Sequence, residues 1–518
     1  MLDTDYFDEL MVCRLDTGRQ QIEPCTIVIF GASGDLTARK LLPALYHLFS
    51  QGQLPTPVRI IGFARREKTD AAWREEVRLG IEQFSRTKKV DPAKWPAFAA
   101  QLSYCQGEFS DPAAYARLQA RLAAFEDVRL QRNRLFYLST SPLQFAEIAA
   151  QLSQAGLLEL NPAGPHWQRL VVEKPFGQDL VSARKLNSEL TRHAGERQIF
   201  RIDHYLGKET VQNILMFRFS NAIFEQLWSR QTVDHVQITF SEKIGVGNRG
   251  GFYEEAGVLR DVVQNHLLQV MALVAMEPPV ALEPEAIRDE KVRFLKTVRI
   301  LDPSQVSRHV VRGQYAETLL DGQKRPAYRQ EVKVRPDSNV ETYAALRLFV
   351  DNWRWAGVPF YIRAGKALAL SACEVRVQFQ SMPNVLFAAQ CGPRLDANSI
   401  TLHLQPNEGI TLRFNGKVPG ASTTVRPVRM NFSYDAEFGA YTQEAYERLL
   451  LEAIAGDPTL FIRCDEVETA WNIMDPIRAG WGATPLTEGE FYPWGCWGPA
   501  AANELLATHG REWRNPEP

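Results

Sequence analysis

In the run RIDHYLGKE the chain puts Asp203, His204, Tyr205 and Lys208 within six residues at the end of one apolar strand. Imidazole, phenol and ammonium donors together suit an anionic head group such as a phosphate monoester. A second polar strand end, VVEKPFG, carries Lys174 before Pro175. A third segment, GVLRDVVQNHLLQVMALV, spaces Leu259, Val262, Val263, Leu267, Val270, Met271 and Val274 at the helical period, with His266 on or beside that stripe. An imidazole that is neutral near physiological pH can take a proton from a hydroxyl. On an ideal α-helix Asp261 stands about 140° round the axis from His266, too far to orient it. A carboxylate from elsewhere is required, and Asp203 is available.

These groups need a scaffold, and the first two hundred residues supply a periodic one. Short apolar runs at Thr26 to Phe30, Arg59 to Ala64, Leu102 to Cys105, Leu135 to Ser139, Leu170 to Glu173 and Ile199 to Ile202 alternate with longer helical patterns. That alternation predicts βαβ units and a Rossmann-like, doubly wound parallel sheet. Parallel strands would bring the polar ends to one crevice. Leu41, Leu45, Leu48 and Phe49 recur on one face of a helix over Leu36 to Phe49, which Pro43 either bends or starts.

Between the first strand and that helix, TIVIFGASGDLTARK places Gly31 and Gly34, where backbone N–H groups and a helix N-terminus favour a pyrophosphate. The cofactor-binding residues expected in this loop are Gly31, Ser33, Gly34, Asp35 and Leu36. At the end of the second strand Arg65 and Arg66 stand where an NAD enzyme usually carries a carboxylate. A guanidinium there pairs with a 2′-phosphate, so NADP is the implied cofactor.

After about residue 230 the runs VDHVQITF, CEVRVQFQ, SITLHLQ, GITLRFN and VRMNFSY alternate apolar and polar residues, predicting a mainly antiparallel sheet backed by helices. The expected fold is therefore α/β plus α+β, with a dinucleotide-binding domain over 1–203 and a larger α+β domain for substrate binding and oligomerisation over 204–518. The tail from Glu488, rich in Gly, Pro and Trp, reads as irregular.

Composition narrows the function. The 518 residues carry 59 Lys plus Arg against 61 Asp plus Glu, a net charge of −2 that gives no field to hold nucleic acid. Seven dispersed cysteines (Cys13, Cys25, Cys105, Cys373, Cys391, Cys464, Cys496) contain no C-x-x-C pair, and the chain has no HExxH, so buried reduced thiols are expected rather than disulfides or a thiolate metal site. The acidic start lacks the pattern of a signal peptide, and no apolar run reaches the ~18 residues that cross a bilayer, so the reading is cytoplasmic, with no membrane partner.

Taken in order along nearly the whole chain, GASGDLTARK, GFARR, VVEKPFG, DHYLGKE, RGGFYEEAGVLRDVVQNHLLQ, IRAGKAL and EAYERLLLEAI closely resemble the glucose-6-phosphate dehydrogenases. The resemblance implies oxidation of glucose 6-phosphate at C1 to the 1,5-lactone with hydride transfer to NADP, the entry to the oxidative pentose phosphate route. The alternative is the same chemistry on another phosphorylated aldose. By resemblance His266 is the base and Asp203 its partner, and Lys174 lies near the reacting carbon and nicotinamide, with Pro175 cis. Lys40 is expected near cofactor and sugar. His204, Tyr205 and Lys208 match the phosphate site, Glu242 and Asp261 the sugar hydroxyl ligands, and Lys366 a pocket lysine. No metal is expected, and the resemblance implies a homodimer or homotetramer. One departure stands out: Ser371 occupies a place where relatives carry a basic residue, which predicts altered affinity or sugar selectivity.

Overall fold

The computed structural model describes residues 22–383, 396–420, 424–439, 443–482 and 484–517. Cys13 and Cys391 lie outside them. The chain forms two compact units: Met1–Val172 with His193–Ile199 and Leu449–Pro458, and Glu173–Arg192 with Phe200–Arg448 and Thr459–Pro518.

The first unit is organised by strands β1 (Cys25–Phe30), β2 (Val58–Ala64), β3 (Leu102–Gln106), β4 (Arg134–Leu138) and β5 (Gln168–Val172). They lie in the order β5-β4-β1-β2-β3, all parallel. Central β1 is buried along its whole length, which is why CTIVIF reads as a continuous apolar run rather than an alternating one. The registers Phe30↔Phe63, Phe30↔Leu138 and Ala64↔Gln106 bring the carboxyl ends of four strands level. Gly31, Arg65, Gly107 and Ser139 follow directly. The helix after β1 opens with a π-turn at Thr37–Leu41 and continues as Leu42–Ser50. Pro43 sits in the first turn of the regular part, so it marks a start rather than a kink.

In the second unit β6 (Ile199–Ile202), from Phe200 onward, pairs antiparallel with β17 (Phe461–Ile462). The main sheet comprises β7 (Val233–Ser241), β8 (Val310–Tyr315), β11 (Tyr343–Leu348), β12 (Phe360–Gly365), β13 (Ala372–Phe379), β14 (Ser399–Gln405), β15 (Gly409–Lys417), β16 (Val425–Ser433) and β18 (Phe491–Tyr492). Their order is β16-β15-β14-β13-β7-β12-β11-β8-β18, and a small hairpin of β9 (Thr318–Leu320) and β10 (Gln323–Arg325) stands apart. The five alternating runs are β7, β13, β14, β15 and β16. Of the four strands of this sheet that were not anticipated, β8, β11 and β12 (VVRGQY, YAALRL and FYIRAG) are almost wholly buried and carry no period of two, and β18 lies in the tail read as irregular. The sheet is mixed where β7 and β12 run parallel. The tail is more ordered than its composition predicts. Tyr492 is buried in β18, and a helix at Ala501–Ala507 buries Ala502, Leu505 and Leu506.

Behind this sheet a long helical stretch runs through Gly250–Val258, the π-helix Leu259–Leu267 and the α-helix Leu268–Ala275. Its first break is at Gly257, whose φ of +62 suits glycine, and an added Cβ there would lie 2.3 Å from Glu341 Oε1. Glu341 Oε1 in turn accepts the Leu259 N–H at 3.1 Å and caps the π-segment. Deeper in the core Lys291 Nζ donates to Gln269 and lies 2.8 Å from Glu466, both ionic side chains being buried. This ties Leu268–Ala275 to the helices Pro284–Leu295 and Cys464–Trp481.

Among the described residues no helix is long and apolar enough to cross a membrane. Cys25, Cys105 and Cys373 are buried free thiols, whereas Cys464 and Cys496 are half-exposed, a correction to the expectation that all would be buried. Removing one partner of a buried ion pair leaves the other charge stranded, so Lys291→Met should cost about 3–5 kcal/mol of unfolding free energy. The doubly substituted Lys291→Met, Glu466→Leu chain should recover much of it. Denaturant unfolding of the four chains measures both effects, and additive losses would defeat the assignment.

Candidate active site

The candidate acid–base residues are assembled within the second unit from three chain segments. Asp203 and His204 follow β6, and the turn is closed by Asp203 Oδ1, which accepts the Tyr205 N–H at 2.9 Å. The same oxygen accepts His266 Nδ1–H at 2.5 Å. Asp203 and His266 are 1% and 2% exposed, so this pair is dry. On its other nitrogen His266 faces Lys174, whose Nζ lies 3.0 Å from Nε2. These partners assign the tautomer with the proton on Nδ1 and the lone pair on Nε2. Tyr205 stacks on the His266 ring with centroids 4.6 Å apart, and His204 meets it edge-on at 4.6 Å.

The placing of Asp261 corrects the helical reading. A π-helix bonds residue i to i+5 and brings residues five apart over one another, where an α-helix would rotate them away. Lys174 Nζ accordingly reaches Asp261 Oδ1 at 3.0 Å and the Asp261 carbonyl at 2.7 Å while also touching His266. The Lys174–Pro175 peptide is cis, as the resemblance implied.

The protonation states follow from this packing. Burial pulls the His266 imidazole below the ordinary histidine range; Asp203 opposes that shift and Lys174 reinforces it. Burial alone would raise the Asp203 carboxyl, but the attraction of His266 and its hydrogen bond hold it well below the carboxylate range. The pair therefore rests as carboxylate and neutral imidazole. His204 is pushed down to about 3, first by burial and then by His266, so it offers an uncharged N–H. Asp261 is likewise disfavoured as an ion by burial, yet Lys174 and Lys366 keep it ionised.

Two neighbouring clusters surround this centre. Lys208 Nζ lies over the Tyr205 ring, 4.4 Å from its centroid, and donates to Gln405 Oε1 at the end of β14. Burial lowers the Lys208 ammonium from the usual lysine range. Because β7 and β12 are parallel, with Ser241 opposite Gly365, the next residues Glu242 and Lys366 emerge side by side and form an ion pair at 2.5 Å. Tyr253 lies 5.3 Å beneath the Lys366 ammonium. Gln405 and Tyr253 were missed in the sequence. A polar residue ending the alternation SITLHLQ before Pro406 was the available signal for the first, and nothing marked the second. Ser371 is exposed, and its hydroxyl accepts the Lys243 N–H at 2.9 Å, securing the segment after Glu242. Arg363 is wholly buried against Trp497 and Trp513, with Nε on Thr239.

Asp203, His204 and His266 each place one ligand atom within 4.8 Å of the others, a spacing that a metal ion could use. The Asp203–His266 hydrogen bond already occupies two of the three groups.

The first unit holds a cavity of about 330 Å³, lined by Gly31, Ser33, Gly34, Arg65, Arg66 and Glu108 among others. Gly31 has φ +82, and a Cβ there would lie 2.1 Å from the Ser139 carbonyl, so only glycine fits. Asp35 pairs with Arg39 at 2.7 Å and is exposed. Leu36 is half-buried, and Lys40 lies on the exposed side of the π-turn. The loop after β2 is held by Tyr104, whose hydroxyl donates to the Arg66 carbonyl at 2.5 Å.

Comparison with known proteins bears on what this machinery is for. The model for the glucose-6-phosphate dehydrogenase NAD binding domain matches residues 28–213, and that for the C-terminal domain matches 215–514. The chain belongs to the glucose-6-phosphate dehydrogenase family. It is 45% identical over 495 residues to the glucose-6-phosphate 1-dehydrogenase of Chlamydia pneumoniae, covering 95% of this chain and 96% of that one. It is 41% identical to the enzyme of Bacillus subtilis, covering 94% and 98%. A solved glucose-6-phosphate dehydrogenase in complex with its substrate superposes with a TM-score of 0.86 at 36% identity, covering 96% of this chain and all of that one. The Mycobacterium avium enzyme gives 0.80 at 37%, covering 95% and 99%.

In a glucose-6-phosphate dehydrogenase the base must be neutral, so activity should persist at pH values below the ordinary histidine pKa of ~6.5. Lys174 is one of the charges that depress His266, so Lys174→Met should move the acid limb of the kcat/KM profile to higher pH while lowering kcat. An unmoved limb in a folded variant would show that Lys174 does not set the state of His266.

Proposed function

We propose that the Asp203–His266 pair is the general base of glucose 6-phosphate oxidation. The observation that carries this is the buried 2.5 Å contact that leaves Nε2 as an acceptor. The reaction turns a hemiacetal C1–OH into a lactone carbonyl, so one proton leaves the hydroxyl as a hydride leaves the carbon. His266 Nε2 takes the proton. Asp203 holds Nδ1–H, keeps the ring in one orientation and stabilises the imidazolium that forms. Lys174 Nζ lies 3.0 Å from Nε2; the C1 hydroxyl takes that place, and the ammonium stays beside the reacting oxygen. Lys208, with Tyr205, neutral His204 and Gln405, holds the phosphate, and Glu242, Asp261 and Lys366 take sugar hydroxyls. Anchoring the far end of the sugar fixes C1 against the base.

NADP, the family's cofactor, supplies the hydride acceptor. The residues of the first unit fit it: a glycine turn that no Cβ could enter, a helix start behind it, and two exposed arginines at the end of β2. Gly31, Ser33, Gly34, Asp35 and Leu36 would cradle the pyrophosphate, Arg65 would meet the 2′-phosphate, and Lys40 and Lys174 would serve the nicotinamide end. A division of labour between a dinucleotide-binding part, read as 1–203, and a second part, read as 204–518, is supported in outline by the family models, whose own boundary falls about ten residues later, between 213 and 215. The five free thiols among the described residues suit a reducing, cytoplasmic setting.

A homo-oligomer is supported by the far end of the main sheet. Strand β16 is open along most of its length, and Met430 and Phe438 are 61% and 74% exposed. Light scattering should give the mass of a dimer or tetramer, reduced by Met430→Glu; a monomeric wild type would overturn this. For the chemistry, His266→Asn should lower NADPH formation by roughly 10²–10⁴-fold while calorimetry still detects glucose 6-phosphate binding. Retained turnover would defeat the base assignment.

A further inference from the structure

The cavity lined by Arg65 and Arg66 also holds a carboxylate, Glu108. Arg65 and Arg66 leave β2 on one wall, and Glu108 leaves β3 on the adjoining wall, since Ala64 and Gln106 are register partners. Glu108 is fixed from both sides. Gly107 donates its N–H to the Ala64 carbonyl at 3.1 Å, and an added Cβ there would meet Ala114 at 2.3 Å, so the backbone cannot back away. Phe109 packs against Phe63 with centroids 6.2 Å apart, and its carbonyl accepts the Tyr115 hydroxyl at 2.8 Å. Among the described residues no ion pair engages Glu108, Arg65 or Arg66, so all three side chains are available to a ligand.

We propose that Glu108 sets the balance between NADP and NAD, and that this chain oxidises glucose 6-phosphate with either. The inference rests on the reading that the adenosine end of the cofactor docks at Arg65 and Arg66. A carboxylate accepts the ribose hydroxyl hydrogen bonds that NAD offers and arginines cannot accept, which is the usual role of an acid at the end of β2. Toward NADP the same charge repels the 2′-phosphate and offsets part of the pull of the guanidiniums. The acid has thus moved one strand over, where inspection of the β2 end alone does not find it.

The test is the ratio of kcat/KM for NADP to that for NAD, at saturating glucose 6-phosphate and fixed ionic strength. The wild type should reduce both cofactors. Glu108→Gln keeps the shape and removes the charge; it should raise kcat/KM for NADP, lower it for NAD, and shift the ratio by about tenfold, as expected for loss of a charge-assisted hydrogen bond. The KM for glucose 6-phosphate and the melting temperature should not change. A wild type without NAD turnover, or a ratio constant within about twofold in Glu108→Gln, overturns the inference. Arg66→Gln separates the two levels. If it abolishes the NADP preference while Glu108→Gln does nothing, only the role of Glu108 falls; if neither moves the ratio, the docking of the adenosine falls with it.

Discussion

The contact between Asp203 and His266 governs the second unit. A carboxylate this deeply buried is tolerated only when something returns the hydration it has lost, and here the imidazole and one backbone N–H do so through a single oxygen. Both partners must therefore arrive with little freedom. The turn after β6 fixes the acid, and a helix packed on all sides fixes the imidazole. Tyr205 and His204 close around the ring, and burial favours its uncharged state. Lys174 adds a cation on the opposite side, so the ring lies between opposite charges whose effects on its basicity oppose each other.

The remaining polar groups are arranged by strand direction. In an antiparallel pair, residues just past two adjacent strand ends leave from opposite edges; in a parallel pair they leave from the same edge. Glu242 and Lys366 meet because β7 and β12 are the parallel pair in the middle of a mostly antiparallel sheet. The same rule brings Gly31, Arg65, Glu108 and Ser139 to one rim of the first unit. In both units irregular chemistry is carried at strand ends while the strand interiors remain apolar.

Much of this was legible from residue order alone. The parallel strands of the first unit were visible because each is short, apolar and bounded by turn residues, and the bounds were right to within two positions. Of the five alternating strands, β15 and β16 are open along much of their length, whereas β7 is nearly wholly buried and was visible because the buried polar residues Gln237, Thr239 and Ser241 alternate with apolar ones. Strands β8, β11 and β12 were not, because full burial removes the alternation that identifies a strand. Asp203 was found as the partner of His266 by excluding Asp261 on α-helical geometry, and the exclusion was only half sound. Asp261 does not orient the ring, yet the wider turn brings it to the same ammonium. Gln405 and Tyr253 illustrate another limit: each reaches the site through tertiary packing, and no local pattern marks it.

The π-helical stretch from Leu259 to Leu267 has a consequence for how such chains can vary. A wide turn holds one more residue than the regular helix that would span the same length. Deleting a single position there could restore ordinary winding and preserve the oily face toward the core. A deletion at Leu259 or Arg260 would then leave Asp261 and His266 five apart on a regular helix, about 140° from one another round the axis. The helix would still pack, but Asp261 and His266 would no longer share the Lys174 ammonium. In this segment residue count matters as much as residue type.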